Sequence, residues 1–89
     1  MAKIEIRKPS EEEIEEKGIR AWPIWEHGPA TFPWRYEERE TCLILEGRVT
    51  VKTAEGEVSF GEGDLVIFPE GLECEWRIHE PVRKHYRFG

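Results

Sequence analysis

Four side chains able to do chemistry lie on short apolar runs of this 89-residue sequence. Trp34 and Tyr36 are two residues apart, so on an extended strand they point to the same side. Glu40 begins one apolar run and Cys74 begins another. Carboxylate and thiolate groups bind zinc, whereas a tyrosine phenol must first lose a proton with a reference pKa of about 10. An indole nitrogen only donates hydrogen bonds, so the candidate metal ligands are Tyr36, Glu40 and Cys74.

Histidine is absent from these runs, since His27, His79 and His85 lie elsewhere in the sequence. A carboxylate, a thiolate and a phenolate together suit no common metal site. We therefore expect no stoichiometric metal, with zinc or manganese as the alternative.

Glu40 also indicates a binding pocket. An unpaired carboxylate in the interior costs several kcal/mol, so Glu40 must meet Tyr36, Arg35, Lys84 or a ligand. Aromatic walls around one acid are typical of a small-molecule site. The alternative is that the aromatic side chains fill the interior and Cys74 is a small buried hydrophobe. The sequence leaves both interpretations open.

Strands must position these side chains. After Arg20 the sequence has no helical period, and runs of β-branched and aromatic residues alternate with Gly and Pro. The predicted strands are Trp22–Trp25, Thr31–Tyr36, Glu40–Leu45, Val49–Thr53, Glu57–Phe60, Leu65–Phe68, Cys74–Ile78 and Arg83–Phe88. Glu46-Gly47 and Glu55-Gly56 predict tight hairpin turns. Many short strands at this spacing predict an all-β sandwich or barrel.

The N-terminal segment predicts a strand and one short helix. Residues Lys3–Lys8 alternate apolar and charged side chains, which is typical of a half-buried strand. Ser10 is a good helix N-cap and Gly18 a good stop signal. We therefore predict a helix over Glu11–Lys17 that packs mainly through Ile14 and leaves its acidic face in solvent.

Two predicted strands are apolar on both faces, Cys42–Leu45 and Leu65–Phe68. One face can line the interior, and the other must be covered. The N-terminal strand with Ile4 and Ile6 could cover it, or a second subunit could. We expect a homodimer, with a self-covered monomer as the alternative.

Two groups of residues fall at the spacing of the paired motifs of the cupin superfamily, which the sequence resembles. Gly28, Trp34, Tyr36, Glu40 and Gly47 occupy the first motif. The second motif is occupied by Gly63, Pro69, Gly71 and Cys74. The resemblance implies a cupin jelly-roll β-barrel with one short N-terminal helix. It also implies that Trp34, Tyr36, Glu40 and Cys74 converge where the family places a divalent metal.

Further segments are similar to the small single-domain cupins of the DUF861 group. They include Trp22-x-x-Trp25, Phe32-x-Trp34-x-Tyr36, Leu45–Val51, Gly63–Pro69 and Val82–Tyr86. That group resembles the cupin domains of ureidoglycine aminohydrolase and of an ethanolamine-utilisation protein. The hydrolases keep Glu and His ligands for manganese, whereas this chain has replaced the histidines.

The last strand could add polar groups to the site. Lys84, Tyr86 and Phe88 share one face with Val82, and if that face points inward, Lys84 and Tyr86 come near Glu40. In that position Lys84 could simply neutralise Glu40 as a buried pair. The predicted ligand-binding residues are therefore Trp34, Tyr36, Glu40, Cys74, Trp76, Lys84 and Tyr86.

Composition bounds the partners and the location. The formal net charge is −6, which disfavours a general attraction to nucleic acid or to an anionic membrane. The sequence lacks a long apolar span and the apolar run of a signal peptide, so we expect one cytoplasmic domain over residues 1–89. Cys42 and Cys74 are then free thiols. A charged fraction of 36% suits a heat-stable protein.

Two functions follow from these residues. The first is a small-molecule-binding cupin of unassigned activity whose metal-ligand histidines are replaced. The alternative is a metal-dependent cupin enzyme, aminohydrolase-like or sugar-modifying, that uses Glu40 and Cys74. Nucleophilic catalysis by Cys74 ranks last, because the sequence offers no obvious base beside it.

Overall fold

The computed structural model describes residues 3–89. The elements run in the order β1 (Glu5–Arg7), α1 (Glu11–Glu16), a 3-10 turn (Ile19–Ala21), β2 (Ile24–His27), β3 (Ala30–Arg35), β4 (Glu40–Thr53), β5 (Gly56–Gly61), β6 (Leu65–Phe68) and β7 (Glu73–Phe88). Strands dominate, and α1 is the one α-helix of the described residues. The all-β prediction with a short N-terminal helix is confirmed.

Helix α1 forms for the reasons that the sequence gives. The Ser10 side chain accepts a hydrogen bond from the Glu13 backbone N–H at 3.1 Å, which satisfies one of the free donors of the first turn. The helix ends at Glu16, and Gly18 follows with a φ of 63°. The acidic side chains of α1 are exposed except for Glu13, which is partly buried and pairs with Arg7 and Lys17, and Ile14 is the buried residue of the helix.

One folded antiparallel sheet organises the chain around the two long strands β4 and β7. The main path of strands is β1-β6-β4-β7-β2, while β5 pairs with β4 and β3 pairs with β7. The first half of β4 pairs with β6 and its second half with β5. The first half of β7 pairs with β3 and its second half with β2. Among residues 3–89 the hydrogen-bonded path ends at β1 and β2, so the sheet is open at these two strands.

Gly47 lies within β4 at a point where the pairing with β7 shifts register. One prediction from the sequence is wrong at this position. The hairpin turn predicted at Glu46-Gly47 is wrong, because β4 continues through it with register shifts on either side. Gly47 has a φ of 105°, and a Cβ there would lie 2.5 Å from the Pro81 carbonyl oxygen. A glycine at a bulge and a glycine at a turn give the same sequence signal. The other predicted turn is confirmed, since Gly56 opens β5 after the turn at Ala54-Glu55.

Two pairs of predicted strands are each continuous in the structure. The segments predicted as Glu40–Leu45 and Val49–Thr53 form β4, and those predicted as Cys74–Ile78 and Arg83–Phe88 form β7. Leu65–Phe68 has the predicted bounds, and the remaining strands shift by one or two residues.

The two faces of the sheet carry separate apolar clusters. The inner cluster centres on Tyr36, Phe68 and Trp76, and Ile4 and Ile6 pack against its edge. The outer cluster consists of Ile14, Ile19, Leu43 and Leu65. The helix and the 3-10 turn therefore cover the outer face of the two doubly apolar strands. The homodimer stays a prediction. The apolar outer face on which it was based is already covered in part by α1 and the 3-10 turn of the same chain.

Within residues 3–89, no helix combines the length and apolar character needed to cross a membrane.

Candidate ligand-binding pocket

A cavity of about 240 Å³ opens on the inner side of the folded sheet. Both halves of the sheet contribute to it, with β2 and the second half of β7 on one side and β3 on the other. Its lining residues are Trp25, Phe32, Trp34, Tyr36, Glu40, Trp76, Lys84, Tyr86 and Phe88. Seven of these nine are aromatic, so the walls are apolar and the polar chemistry is concentrated in one place.

That place is an ion pair between Glu40 and Lys84. The Lys84 Nζ donates to Glu40 Oε2 at 3.0 Å, and the two side chains are only 5% and 6% exposed. Glu40 starts β4 and Lys84 lies in the second half of β7, and both strands present these residues to the interior. The buried carboxylate thus has the partner that its desolvation requires.

Aromatic rings surround the ammonium group of this pair. Lys84 Nζ lies 5.0 Å from the ring centre of Trp25 and 4.8 Å from that of Trp76. The ring of Phe68 is 5.9 Å away. These distances allow cation–π attraction, which is strongest where water is excluded. The pair and the rings together hold the lysine charge at the base of the cavity.

Tyr36 is fixed by stacking and by backbone bonds at the end of β3. Its ring lies parallel to Phe68 at 4.6 Å between centres, and its hydroxyl accepts a hydrogen bond from Trp76 Nε1 at 3.1 Å. The Tyr36 N–H donates to the Leu72 carbonyl, and its own carbonyl accepts from Gly71. Burial, followed by the nearby Glu40 charge, raises the pKa of Tyr36 far above its ordinary value. Its phenol is therefore neutral at physiological pH.

Most of the residues predicted from the sequence meet in this cavity. Trp34, Tyr36, Glu40, Trp76, Lys84 and Tyr86 line it. Trp34 stands at the rim, since half of its surface is exposed. The face of β7 that carries Lys84 and Tyr86 points inward. This is the condition under which the sequence predicts Lys84 near Glu40.

Cys74 lies outside the lining. Its Sγ donates to the Trp34 backbone carbonyl at 3.6 Å, so the thiol is turned toward the neighbouring strand. Burial raises the pKa of Cys74 to about 11, which leaves the thiol protonated near neutral pH. The protonated thiol counts against a role as a nucleophile.

Three lining residues were missing from the predicted set: Trp25, Phe32 and Phe88. Phe32 and Phe88 share strand faces with predicted residues, so period-two spacing could have found them. Trp25 reaches the pocket through the pairing of β2 with β7, where it is the direct partner of Lys84. That long-range register has no local signal in the sequence.

The residues at the site do not fit a metal ion. Glu40 is engaged by Lys84, Tyr36 is neutral, and Trp34 has no lone pair to offer. Across residues 3–89, no cluster of three or more His, Cys, Asp or Glu side chains is arranged to hold a metal. A cation at this position would also face the ammonium of Lys84.

Comparisons with known proteins agree with this architecture. The family model described as the EutQ-like cupin domain matches residues 14–86. The chain therefore belongs to the EutQ-like cupin family. A comparison with functionally curated proteins gives no match.

Solved structures support the family and the fold. A DUF861 family protein from Thermotoga maritima is 46% identical, with a TM-score of 0.95 over 98% of this chain and 100% of the other. The Clostridium difficile EutQ protein is 22% identical, with a TM-score of 0.68 over 73% of this chain and 52% of the other, and shows the fold alone. A DUF861 protein from Pseudomonas syringae pv. tomato is 26% identical, with a TM-score of 0.68 over 74% of this chain and 29% of the other.

Proposed function

We propose that this protein is a small-molecule-binding cupin that works without a bound metal and uses the aromatic cavity as its binding site. The observation that carries the proposal is the buried Glu40–Lys84 pair at the base of an otherwise aromatic cavity of about 240 Å³. Cavities with apolar walls and a few convergent polar groups are the usual form of a small-molecule site.

The shape of the cavity supports binding over simple core filling. A filled interior leaves few voids larger than a water molecule, whereas this cavity is far larger and opens to the surface beside Trp34. Trp34 and Phe88 both line the cavity and are exposed to 50% and 45%, so the cavity has an apolar rim that a ligand could cover. The volume lies just below the roughly 300–1,000 Å³ of drug-sized sites, so the ligand is a small metabolite.

The sequence alternative, a metal-dependent enzyme using Glu40 and Cys74, receives no support from the geometry. Those two side chains do not share the cavity lining, and the carboxylate of Glu40 is held by Lys84. We therefore propose binding and assign no reaction.

Tryptophan side-chain NMR signals test the proposal with an internal control. Trp25, Trp34 and Trp76 line the cavity, whereas Trp22 packs against the outer cluster. A fragment mixture of small polar aromatics added to ¹⁵N-labelled protein should shift the three indole N–H signals of the cavity and leave that of Trp22 in place. Assignment uses one Trp→Phe variant per position.

Two outcomes contradict the proposal. Equal shifts at Trp22 and the three cavity tryptophans indicate non-specific binding. If no fragment shifts these signals, the cavity does not bind small molecules of this kind. Elemental analysis of untagged protein provides the second test, because full zinc or manganese occupancy contradicts the metal-free part.

Further expectations from the sequence accompany the proposal. We propose that the protein is a cytoplasmic, heat-stable homodimer that binds neither nucleic acid nor membranes. Light scattering over a wide concentration range tests the dimer, and a monomer at every concentration contradicts it.

A further inference from the structure

We infer that the cavity selects a small neutral ligand that carries a hydrogen-bond acceptor next to an N–H donor on an aromatic or apolar body, as in a carboxamide. The inference rests on the proposed binding function and specifies the chemistry of the ligand. The feature that points to it is the arrangement of charges at the base of the cavity.

The balance of charges at the base of the cavity favours a neutral ligand. Glu40 and Lys84 are the charged residues of the lining, and their side chains form one ion pair, so the base of the cavity has no net charge. A ligand carboxylate would have to compete with Glu40 for the ammonium and leave one of the two carboxylates unpaired. A ligand cation would meet Lys84 Nζ, which already lies against Trp25 and Trp76. Burying an uncompensated charge of either sign is costly.

The hydrogen bonds of the ion pair favour a ligand with both an acceptor and a donor. Within the described part of the chain, the Glu40 carboxylate accepts one hydrogen bond, from Lys84 to Oε2. No buried side-chain polar atom of residues 3–89 lacks a partner, so Oε1, which has none, must be accessible from the cavity. Lys84 makes one side-chain hydrogen bond and has three N–H groups. The base therefore offers the acceptor Glu40 Oε1 beside an ammonium group whose other two N–H groups have no hydrogen-bond partner among residues 3–89.

A carboxamide matches this pattern without adding charge. Its carbonyl oxygen accepts from Lys84 while its N–H donates to Glu40 Oε1, and both bonds are to charged groups, which are the stronger kind. The flat body then lies among the rings of Phe32, Trp34 and Trp76. The ligand thus joins the existing ion pair and does not break it.

Benzamide, benzoate and benzamidine test the inference directly, because they share one shape and differ in charge. Each compound is titrated into wild-type protein and followed at the indole signals of Trp25, Trp34 and Trp76, with Trp22 as the control. Benzamide should bind at least about tenfold more tightly than either ion, because only the ions bury an unpaired charge.

Two variants reverse the preference if the ion pair sets it. In Glu40→Gln the ammonium of Lys84 has lost its partner, so benzoate should become the tightest of the three. In Lys84→Met the carboxylate of Glu40 is left, so benzamidine should become the tightest. The preserved Trp22 signal reports that each variant is folded, and the wild-type ranking decides the question if a variant unfolds.

The possible results separate this inference from the proposed function. Tightest wild-type binding by benzoate or benzamidine overturns the neutral-ligand inference and leaves the proposed function standing. The neutral-ligand inference is also overturned, and the proposed function also stands, if none of the three compounds binds but another fragment shifts the cavity tryptophans. Failure of every fragment overturns the proposed function together with the inference.

Discussion

The inside and the outside of the sheet contain ion pairs of nearly the same length with very different surroundings. Inside, Lys84 and Glu40 are 3.0 Å apart with side chains only 5% and 6% exposed. Outside, Arg48 and Glu80 are 3.1 Å apart with side chains 61% and 63% exposed. The distance alone would rank them as equals. The surroundings decide what each pair contributes.

Water explains the difference. An exposed pair is screened, and its two side chains lose rotamer freedom, so its net contribution is about 0–1 kcal/mol. A buried pair has lost its hydration, and each partner becomes necessary to the other because a stranded charge costs several kcal/mol. The interior pair therefore constrains the site, whereas the exterior pairs mainly keep the surface charged. The comparison gives the following predictions.

Removing one interior charge should have the largest effect. Lys84→Met keeps the length of the side chain but leaves the buried Glu40 carboxylate without its ion-pair partner. We expect the free energy of unfolding to fall by about 3–5 kcal/mol. Urea denaturation followed by tryptophan fluorescence measures it, with the exposed Lys52→Met as the matched control. A loss equal to that of the control would show that the pair is solvated.

Opening the outer cluster should have the next effect. Ile14 is 7% exposed and packs with Ile19, Leu43 and Leu65 over the outer face of the sheet. Ile14→Ala removes three carbons there, and removal of a buried Ile side chain costs about 2–5 kcal/mol. The same denaturation series measures the change. No measurable loss would mean that α1 does not hold the outer face.

The sequence predicted the fold more completely than it predicted the site. Glycine and proline spacing, with the period-two strands, predicted the strands and the family, but not the bend at Gly47, because a bulge and a turn favour the same residue. Tyr36, Glu40 and Lys84 were predicted to approach one another. The role of Trp25 could not be predicted, since it depends on the register between β2 and β7.

Cys74 is a predicted site residue that does not line the cavity. Its position in the motif predicted a place in the site, and the strand spacing is as expected. The direction of one small side chain depends on a local contact, here the hydrogen bond from Sγ to the Trp34 carbonyl. Motif spacing and the strand period specify the face on which a side chain lies, whereas its final contacts depend on its neighbours.

Breaking the exterior pair should have the smallest effect. Arg48→Ala removes the partner of Glu80, and we expect the free energy of unfolding to change by no more than about 1 kcal/mol. Raising the salt concentration should reduce even that difference, because the pair is exposed. A larger loss that persists in high salt would contradict the contrast between the two faces.

A double-mutant cycle on Glu40 and Lys84 tests the central claim most directly. The unfolding free energies of wild type, Glu40→Gln, Lys84→Met and the double variant are compared. If the two residues form a mutually compensating pair inside the cavity, the double variant should be more stable than either single variant. The coupling energy should then reach at least about 2–3 kcal/mol. Additive losses, with a coupling below about 0.5 kcal/mol, would contradict the account.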